Sequence, residues 1–374
     1  MTDPGPGPLD GVVVLDATRM LPGAVLTRML LDLGARVIKI EEPTAGDPLR
    51  LAPPQIDAMG AAFCAFFRGA ESVCLNLRDP SGAAALRKLA RHADVLAESF
   101  RPGTLDSWGL GPERLRSANP SLVVCSLSGF GCETDRIGHD LNFVSASGLL
   151  SLLPGDGVPR IQLADISTGL LASTAVMAAL LGRARTGTGC HIDQPLAAGP
   201  LPFLTLALSE AAAGGGGLLQ GLLSGRCPAY RLYRCSDGLE VALCALEPKF
   251  WVEWVENLGL PDLAGSGLDA GEAGRAAARR IQDRVASRPR EHWLTLATER
   301  NLPLSAVHDL DSAASDLPAR FLERTPTPGG AGLPGIPGPF LPSLGRSPAR
   351  AAPRLGEHTE PVLREFGVEP GGVP

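Results

Sequence analysis

The chain has 374 residues, of which 44% are hydrophobic and 20% charged, and this length and composition predict two or three domains with sizeable cores. The formal net charge is −6, and the lack of any basic run argues against a nucleic-acid-binding protein. Eight cysteines without a C-x-x-C pair give little support to a metal site and favour a reducing compartment. The first residues carry no signal-peptide pattern and the apolar stretches are short for a membrane span, so we expect a cytoplasmic protein that binds no membrane.

The first 125 residues alternate between strand-like and helix-like patterns. Strand-like apolar runs fall at 12–15, 37–40, 94–97 and 122–125, and helical patterns at 22–33, 79–92 and 111–118. This spacing predicts parallel strand–helix–strand units and a doubly wound α/β sheet. The turn after the first strand, Asp16 to Gly23, has no G-x-G-x-x-G pattern, which disfavours a nicotinamide or flavin dehydrogenase.

The remainder of the chain predicts one long buried helix and a second α+β region. Residues 166–182 form the apolar helix, with Asp165 at its N-cap. The alanines and glycines of 211–217 predict a flexible linker. After it we expect a hairpin over 230–246, helices over 249–258, 271–287 and 290–300, a strand at 305–307 and a final helix over 359–366.

Two residues stand out as candidates for chemistry. His139 lies in a loop that follows a predicted strand, and Asp165 comes 26 residues later at a predicted helix start. Loops at the carboxyl ends of parallel strands are where the sites of α/β proteins assemble. Spacing alone nevertheless favours a loop histidine and a helix cap over a catalytic pair. His191 and Asp193 share one strand face, and here too we favour a structural role over a metal pair.

Several sequence motifs, spread over nearly the whole chain, follow one another in an order that is itself informative. They lie in Leu9 to Arg50, Asp94 to Gly111, Gly138 to Asn142, Thr186 to Asp193 and Leu355 to Thr359. Together they resemble the family III CoA-transferase and α-methylacyl-CoA racemase superfamily. The resemblance implies an α/β fold with a large Rossmann-like domain and a smaller α+β domain, in a homodimer of intertwined chains. We therefore predict a large domain at 1–210, a Gly-rich linker at 211–221, a small domain at 222–324 and a C-terminal return to the large domain at 325–374.

The resemblance implies two alternative chemistries. In the transferases an aspartate at the position of Asp165 is the nucleophile and forms an aspartyl-CoA thioester. In the racemases this aspartate and a histidine, here His139, are the two acid/bases, with a nearby glutamate at the position of Glu247. We favour the racemase chemistry, because all three residues are present, although the Gly-Glu-His-Thr tail resembles transferases more closely. A repurposed acyl-thioester-binding protein is a third hypothesis.

The resemblance also implies an acyl-CoA substrate, with CoA as part of that substrate and no metal or redox cofactor. The residues expected to contact CoA are Leu75, Arg78, Phe100, Arg101, Gly138 and Asp140. Glu42 and Ser107 stand where the family commonly has cations that bind the CoA phosphates, which leaves Arg68, Arg78 and Arg101 to meet the nucleotide. We favour CoA, with a carrier-protein thioester as the alternative.

Overall fold

A computed structural model of the chain describes residues 7–155, 157–215, 217–218, 221–316, 323–335 and 350–369. These residues form two compact units. The first unit contains the described residues up to Leu204 together with those from 323 onward. The second unit runs from Thr205 to residue 316 of the described chain.

Thirteen strands lie in the described residues. They are β1 Val13–Ala17, β2 Arg36–Glu41, β3 Gln55–Ile56, β4 Met59–Gly60, β5 Glu71–Cys74, β6 Val95–Glu98, β7 Val123–Ser126, β8 His191–Asp193, β9 Tyr230–Arg234, β10 Glu240–Cys244, β11 Leu304–Ala306, β12 Glu323–Thr325 and β13 Leu333–Gly335.

Thirteen α-helices connect these strands within the same residues. They are α1 Met20–Asp32, α2 Ala61–Phe66, α3 Pro80–Ala90, α4 Thr104–Ser107, α5 Pro112–Ala118, α6 Asp140–Ser147, α7 Leu163–Thr186, α8 Thr205–Ala212, α9 Pro248–Asn257, α10 Glu272–Val285, α11 Arg290–Arg300, α12 Leu310–Asp316 and α13 Thr359–Glu365.

The first unit is built on a six-stranded sheet with the order β5-β2-β1-β6-β7-β8, in which every neighbouring pair is parallel. Successive residues of each strand face opposite cores, so Val14 and Val37 join the cluster that contains α1 and α7, whereas Leu15 and Ile38 join the cluster that contains α3. Burial on both faces explains why the strands are continuous apolar runs. The predicted α/β fold is confirmed, and the strand order reverses between β1 and β6, where ligands of such sheets bind.

A buried charge network fixes the turn between β1 and α1, where dinucleotide-binding proteins have glycines. Asp16 Oδ1 accepts hydrogen bonds from the Thr18 amide (2.8 Å) and hydroxyl (2.6 Å), and Asp16 Oδ2 accepts one from the Thr27 hydroxyl (2.6 Å). The fully buried Lys39 Nζ lies 3.4 Å from Asp16 Oδ2 and 3.1 Å from Asp47 Oδ2, and it donates to the Thr18 carbonyl. The turn is therefore held by side chains rather than by glycine flexibility.

Helix α7 corrects one prediction. It begins at Leu163 rather than 166, so Asp165 lies inside its first turn and Gln162 occupies the N-cap position. Leu163 and Ala164 are good helix formers, and the helix begins there although the Gln162 side chain makes no capping hydrogen bond. By length and composition alone α7 is long and apolar enough to cross a membrane. Its apolar composition has another explanation, because it packs against α1 and contributes Ala172, Val176 and Leu180 to the core.

The C-terminal part of the first unit binds the edge of the main sheet. The His358 amide donates to the Ser72 carbonyl (2.9 Å), and the Cys74 amide donates to the Thr359 hydroxyl (3.0 Å). This contact gives the Gly-Glu-His-Thr tail a structural role beside β5, with α13 following as predicted. The predicted return segment also includes 336–349 and 370–374, which lie outside the described residues.

The second unit is an α+β fold around an antiparallel sheet with the order β11-β10-β9. Helices α9, α10 and α11 supply its core, with Trp254, Ile281 and Trp293 buried together with Tyr233 of β9. The predicted hairpin is present, and Gly238 adopts the positive φ of +80° that its turn requires. Helix α8 extends to Ala212, two residues into the predicted linker.

Candidate functional site

A cavity of about 510 Å³ opens at the carboxyl end of the sheet in the first unit. His139 and Asp165 both line it, as do Gly138 and Asp140. Its other walls are mainly apolar and include Met20, Pro22, Leu127, Leu141, Phe143, Val158, Ile161 and Leu196. The structure thus brings the two candidate acid/bases into one largely apolar pocket, which we call the acyl cavity.

Asp165 is buried in the wall of this cavity and forms no ion pair with a cation of the described residues. Its side chain makes one long contact, 3.5 Å from Gln162 Nε2 to Asp165 Oδ2, while its own amide donates to Asp140 Oδ1 (3.0 Å). Burial, reinforced by the negative charge of Asp140, raises the pKa of Asp165 to about 7. A carboxyl group with this pKa can hold or release a proton near neutral pH.

His139 is placed by the start of α6. It occupies the N-cap position of that helix, and its amide donates to Asn142 Oδ1 (3.0 Å), while its side chain is exposed to the cavity. The preceding Gly138 has no room for a side chain, since a Cβ there would lie 2.8 Å from the Phe143 ring. The buried Phe143 therefore fixes the backbone that presents the imidazole.

A second cavity, of about 460 Å³, lies on the other side of the β1–α1 turn. Leu75, Arg78, Phe100 and Arg101 all line it, so four residues predicted to contact CoA lie together; we call it the nucleotide cavity. The loop after β6 is positioned by a hydrogen bond from the Phe100 amide to Glu98 Oε2 (2.8 Å). The exposed Arg78 and Arg101 give this cavity cations that suit phosphate groups.

Glu42 also lines the nucleotide cavity. Its carboxylate accepts a hydrogen bond from the Ala45 amide (2.9 Å), and backbone and side-chain hydrogen bonds from the same loop lower its pKa, so it stays ionised. Arg68 was expected to meet the nucleotide, but it does not line this cavity. It is buried with its guanidinium 2.9 Å from Asp32, which the sequence pattern could not reveal. Ser107 is not a lining residue either, and it donates to the Thr104 carbonyl.

Arg19 is a site residue that the sequence analysis missed. It lines both cavities, because it follows β1 at the point where the strand order reverses. Its amide donates to the Ser99 hydroxyl (2.8 Å), and its guanidinium lies 5.8 Å from the centre of the Phe100 ring. The available signal was its position directly after the first strand of a doubly wound sheet.

Three other residues named in the sequence analysis, Glu247, His191 and Asp193, do not line either cavity. Glu247 belongs to the second unit, at the N-cap position of α9, and its catalytic role stays a prediction. His191 Nε2 lies 2.9 Å from the Ser126 hydroxyl, and Asp193 accepts hydrogen bonds from the Ser128 hydroxyl and the Cys132 amide. Among the described residues, no group of three or more His, Cys, Asp or Glu side chains could hold a metal ion.

Comparison with known proteins adds to this geometry. A model of CoA-transferase family III matches residues 9–359. The chain belongs to CoA-transferase family III. The family III fold agrees with the crystal structure of a CAIB/BAIF family protein from Brucella suis, which has a TM-score of 0.82 and 29% identity and covers 97% of this chain and 100% of that chain.

Relatives of this family III chain fall into both chemistries. It is 32% identical to the succinyl-CoA:glutarate CoA-transferase of Mus musculus, over 96% of this chain and 86% of that protein. It is 31% identical to the α-methylacyl-CoA racemase of Homo sapiens, over 96% of this chain and 93% of that protein. The chain is therefore an enzyme of this superfamily, and its similarity extends equally to transferases and racemases.

Proposed function

We propose that this enzyme inverts the α-carbon of 2-methylacyl-CoA thioesters by 1,1-proton transfer. The observation that carries the proposal is the acyl cavity, where a buried Asp165 with a pKa raised to about 7 shares the walls with His139. Inversion needs two groups that each accept and donate a proton at the same pH. A neutral imidazole and a carboxyl group titrating near neutrality meet that requirement.

The proton transfers follow from these two side chains. With one enantiomer, the neutral imidazole of His139 takes the α-proton, and the C–H electron pair moves into the thioester to form an enolate. Protonated Asp165 then delivers its proton to the opposite face of the carbon. With the other enantiomer, ionised Asp165 is the base and protonated His139 is the acid, so each turnover leaves the pair ready for the reverse reaction.

The nucleotide cavity would hold the CoA part of the substrate. Arg19, Arg78 and Arg101 supply the positive charge; none of them forms an ion pair within 4.0 Å of a described carboxylate, although the charge of Arg19 helps to lower the pKa of Glu42. The mechanism uses no metal or redox group. We also propose that Glu247 orients the imidazole of His139 and that the enzyme works as a homodimer, which would cover exposed apolar side chains such as Leu201 (48% exposed) and Phe203 (54% exposed).

Deuterium incorporation tests the proposed reaction. The wild-type enzyme is incubated in D₂O with one enantiomer of a 2-methylacyl-CoA, and the product is analysed for α-deuterium and for configuration. The proposal predicts α-deuterium together with approach to a racemic mixture. If the substrate kept both its α-proton and its configuration after prolonged incubation with the enzyme, the proposal would be contradicted.

A family III CoA-transferase is the second candidate function. It is favoured by Arg19 and Arg160, two cations that line the acyl cavity. Such cations suit a free carboxylate acceptor. In this reaction ionised Asp165 attacks the thioester carbonyl, the C–S bond breaks and an acyl-aspartyl anhydride forms. The released CoA thiolate then attacks the Asp165 carbonyl, which gives the aspartyl-CoA thioester and frees the donor acid. Trapping of a covalent Asp165 adduct by borohydride or hydroxylamine, without α-deuterium in recovered substrate, would select this function over the first.

A further inference from the structure

The second unit contains an open groove of about 490 Å³ that is separate from the acyl and nucleotide cavities. Four arginines line it, together with a single acidic residue: Arg226, Arg231, Arg275, Arg279 and Asp283. We call it the arginine groove. Its volume lies within the roughly 300–1,000 Å³ that is usual for small-ligand pockets.

The groove arginines differ from three other arginines of the same unit, which form ion pairs. Arg234 lies 3.2 Å from Glu240, Arg280 lies 2.5 Å from Asp262, and Arg300 lies 3.7 Å from Glu253. In contrast, none of the four groove arginines forms an ion pair with any described carboxylate. Other arginines of this unit, such as Arg284 and Arg288, also form no ion pair with a described carboxylate, but four such arginines line one concave surface at the groove.

The proximity of these positive charges is expected to lower the stability of the fold. Arg275 and Arg279 stand one turn apart on α10, and like charges at this spacing destabilise a helix. Gln282 ties α10 to β9, because its amide donates to the Arg234 carbonyl (2.7 Å) and accepts from the Arg234 amide (3.1 Å). This link brings Arg231 to the groove, where its Nε atom is buried without a hydrogen-bond partner.

We propose that the arginine groove binds the phosphate groups of a small polyphosphate-bearing molecule. A guanidinium donates two parallel hydrogen bonds to phosphate oxygens, and several of them can share one pyrophosphate. A bound anion would relieve the repulsion between Arg275 and Arg279 and satisfy the buried Nε of Arg231. The excess of four cations over one carboxylate selects a ligand with several negative charges over a monoanion.

Isothermal titration of the full-length chain with inorganic pyrophosphate tests this proposal. The nucleotide cavity is a second phosphate site, so the titration uses an Arg78→Gln/Arg101→Gln background in which that cavity has lost two cations. We expect one remaining site that weakens as salt is raised. Arg275→Gln/Arg279→Gln in that background should weaken binding at least tenfold, and so should the loop variant Arg226→Gln combined with Arg279→Gln.

The matched control is Arg280→Gln, on the same helix but paired with Asp262 outside the groove, and it should bind pyrophosphate unchanged. Circular dichroism establishes that each variant is folded. Absence of pyrophosphate binding in the Arg78→Gln/Arg101→Gln background would overturn the proposal, as would an equal loss in the Arg280→Gln control. Polyglutamate is also tested as a competitor, with its concentration counted in negative charges. If it displaced pyrophosphate at a lower concentration of charges than pyrophosphate itself needs to bind, the proposal would be overturned in favour of an acidic protein partner.

Discussion

Two buried aspartates of the first unit have opposite surroundings. Asp16 accepts three short hydrogen bonds from Thr18 and Thr27 and lies beside the buried ammonium of Lys39. Burial alone would lower the pKa of Lys39, but the carboxylates of Asp16 and Asp47 outweigh it and raise that pKa. Asp16 is thus part of the scaffold, fixed by these hydrogen bonds and by its ion pair with Lys39.

Asp165 forms no ion pair with a cation of the described residues, and its amide donates a hydrogen bond to another carboxyl group, that of Asp140. Its charged form is disfavoured by burial first and by Asp140 second, so the protein leaves this group poised to exchange a proton. Burial of a carboxyl group therefore does not distinguish a structural aspartate from one that can transfer a proton. The surrounding donors and cations do, and four predictions follow this distinction.

The largest expected effect is on catalysis. Asp165→Asn removes one of the two acid/bases, and loss of general acid–base catalysis costs about 10²–10⁴-fold in rate. We expect a loss of this size in racemisation of 2-methylacyl-CoA, measured by polarimetry or chiral chromatography. A variant with racemisation within a few-fold of wild type would show that Asp165 does not transfer the proton.

The same substitution should have opposite effects on stability at the two aspartates. Asp16→Asn weakens the charge partner of Lys39, and breaking a buried ion pair costs about 3 kcal/mol or more. Asp165→Asn removes a charge that the folded state disfavours, and the rise in pKa from 3.8 to about 7 corresponds to at most about 4 kcal/mol of stabilisation at high pH. Urea unfolding at pH 8 measures both, and destabilisation by Asp165→Asn would contradict the comparison.

The pH dependence sharpens this prediction. Between about pH 4 and pH 7 the folded state keeps a proton on Asp165 that the unfolded chain releases, so this group's contribution to stability falls as pH rises through that window. The stability difference between Asp165→Asn and wild type should therefore be small near pH 4, grow up to pH 7 and then level off. A constant difference across the range would indicate that the pKa of Asp165 is not raised.

Asp140→Asn offers a control on the cause of that pKa. Removing its charge should lower the pKa of Asp165 only in part, because burial is the larger cause. Racemisation in the direction that uses Asp165 as the base should then rise at lower pH than in the wild-type enzyme. An unchanged midpoint would show that the two carboxyl groups do not interact.

The smallest effect is expected in the nucleotide cavity. Glu42 is half-buried there among arginines, so Glu42→Arg should tighten CoA several-fold, and more so at low salt. Competition with a fluorescent CoA analogue measures this change, with Glu113→Arg, the same charge reversal outside the cavity lining, as the matched control. If the natural substrate is instead a carrier-protein thioester, turnover of that substrate should not improve, and unchanged CoA affinity would mean that Glu42 does not face the nucleotide.

Much of this architecture could be predicted from the sequence, because it depends on local patterns. The apolar runs at 12–15 and 37–40 correspond to β1 and β2, and Arg78 and Arg101, two residues named from the family motifs, line one cavity. A motif preserves such groupings even though the residues are distant in the chain.

The remaining features depend on contacts that no local pattern encodes. Arg68 was expected at the nucleotide, but its partner Asp32 lies 36 residues away, on α1. The N-cap assignment of Asp165 failed because the helix starts with Leu163, a residue that carries no start signal. The raised pKa of Asp165 depends first on burial and second on Asp140, and only the folded chain supplies that burial and brings Asp140 to the helix amide.

Enantiomer-specific exchange tests the central claim most directly, that His139 and Asp165 serve opposite faces of one carbon. Each enantiomer of a 2-methylacyl-CoA is incubated in D₂O with wild type, His139→Ala or Asp165→Asn, and α-deuterium is followed by mass spectrometry. We predict that wild type labels both enantiomers, that His139→Ala loses exchange of one, and that Asp165→Asn loses exchange of the other. If either variant exchanged both enantiomers at the wild-type rate, or both variants lost the same enantiomer only, the account would be contradicted.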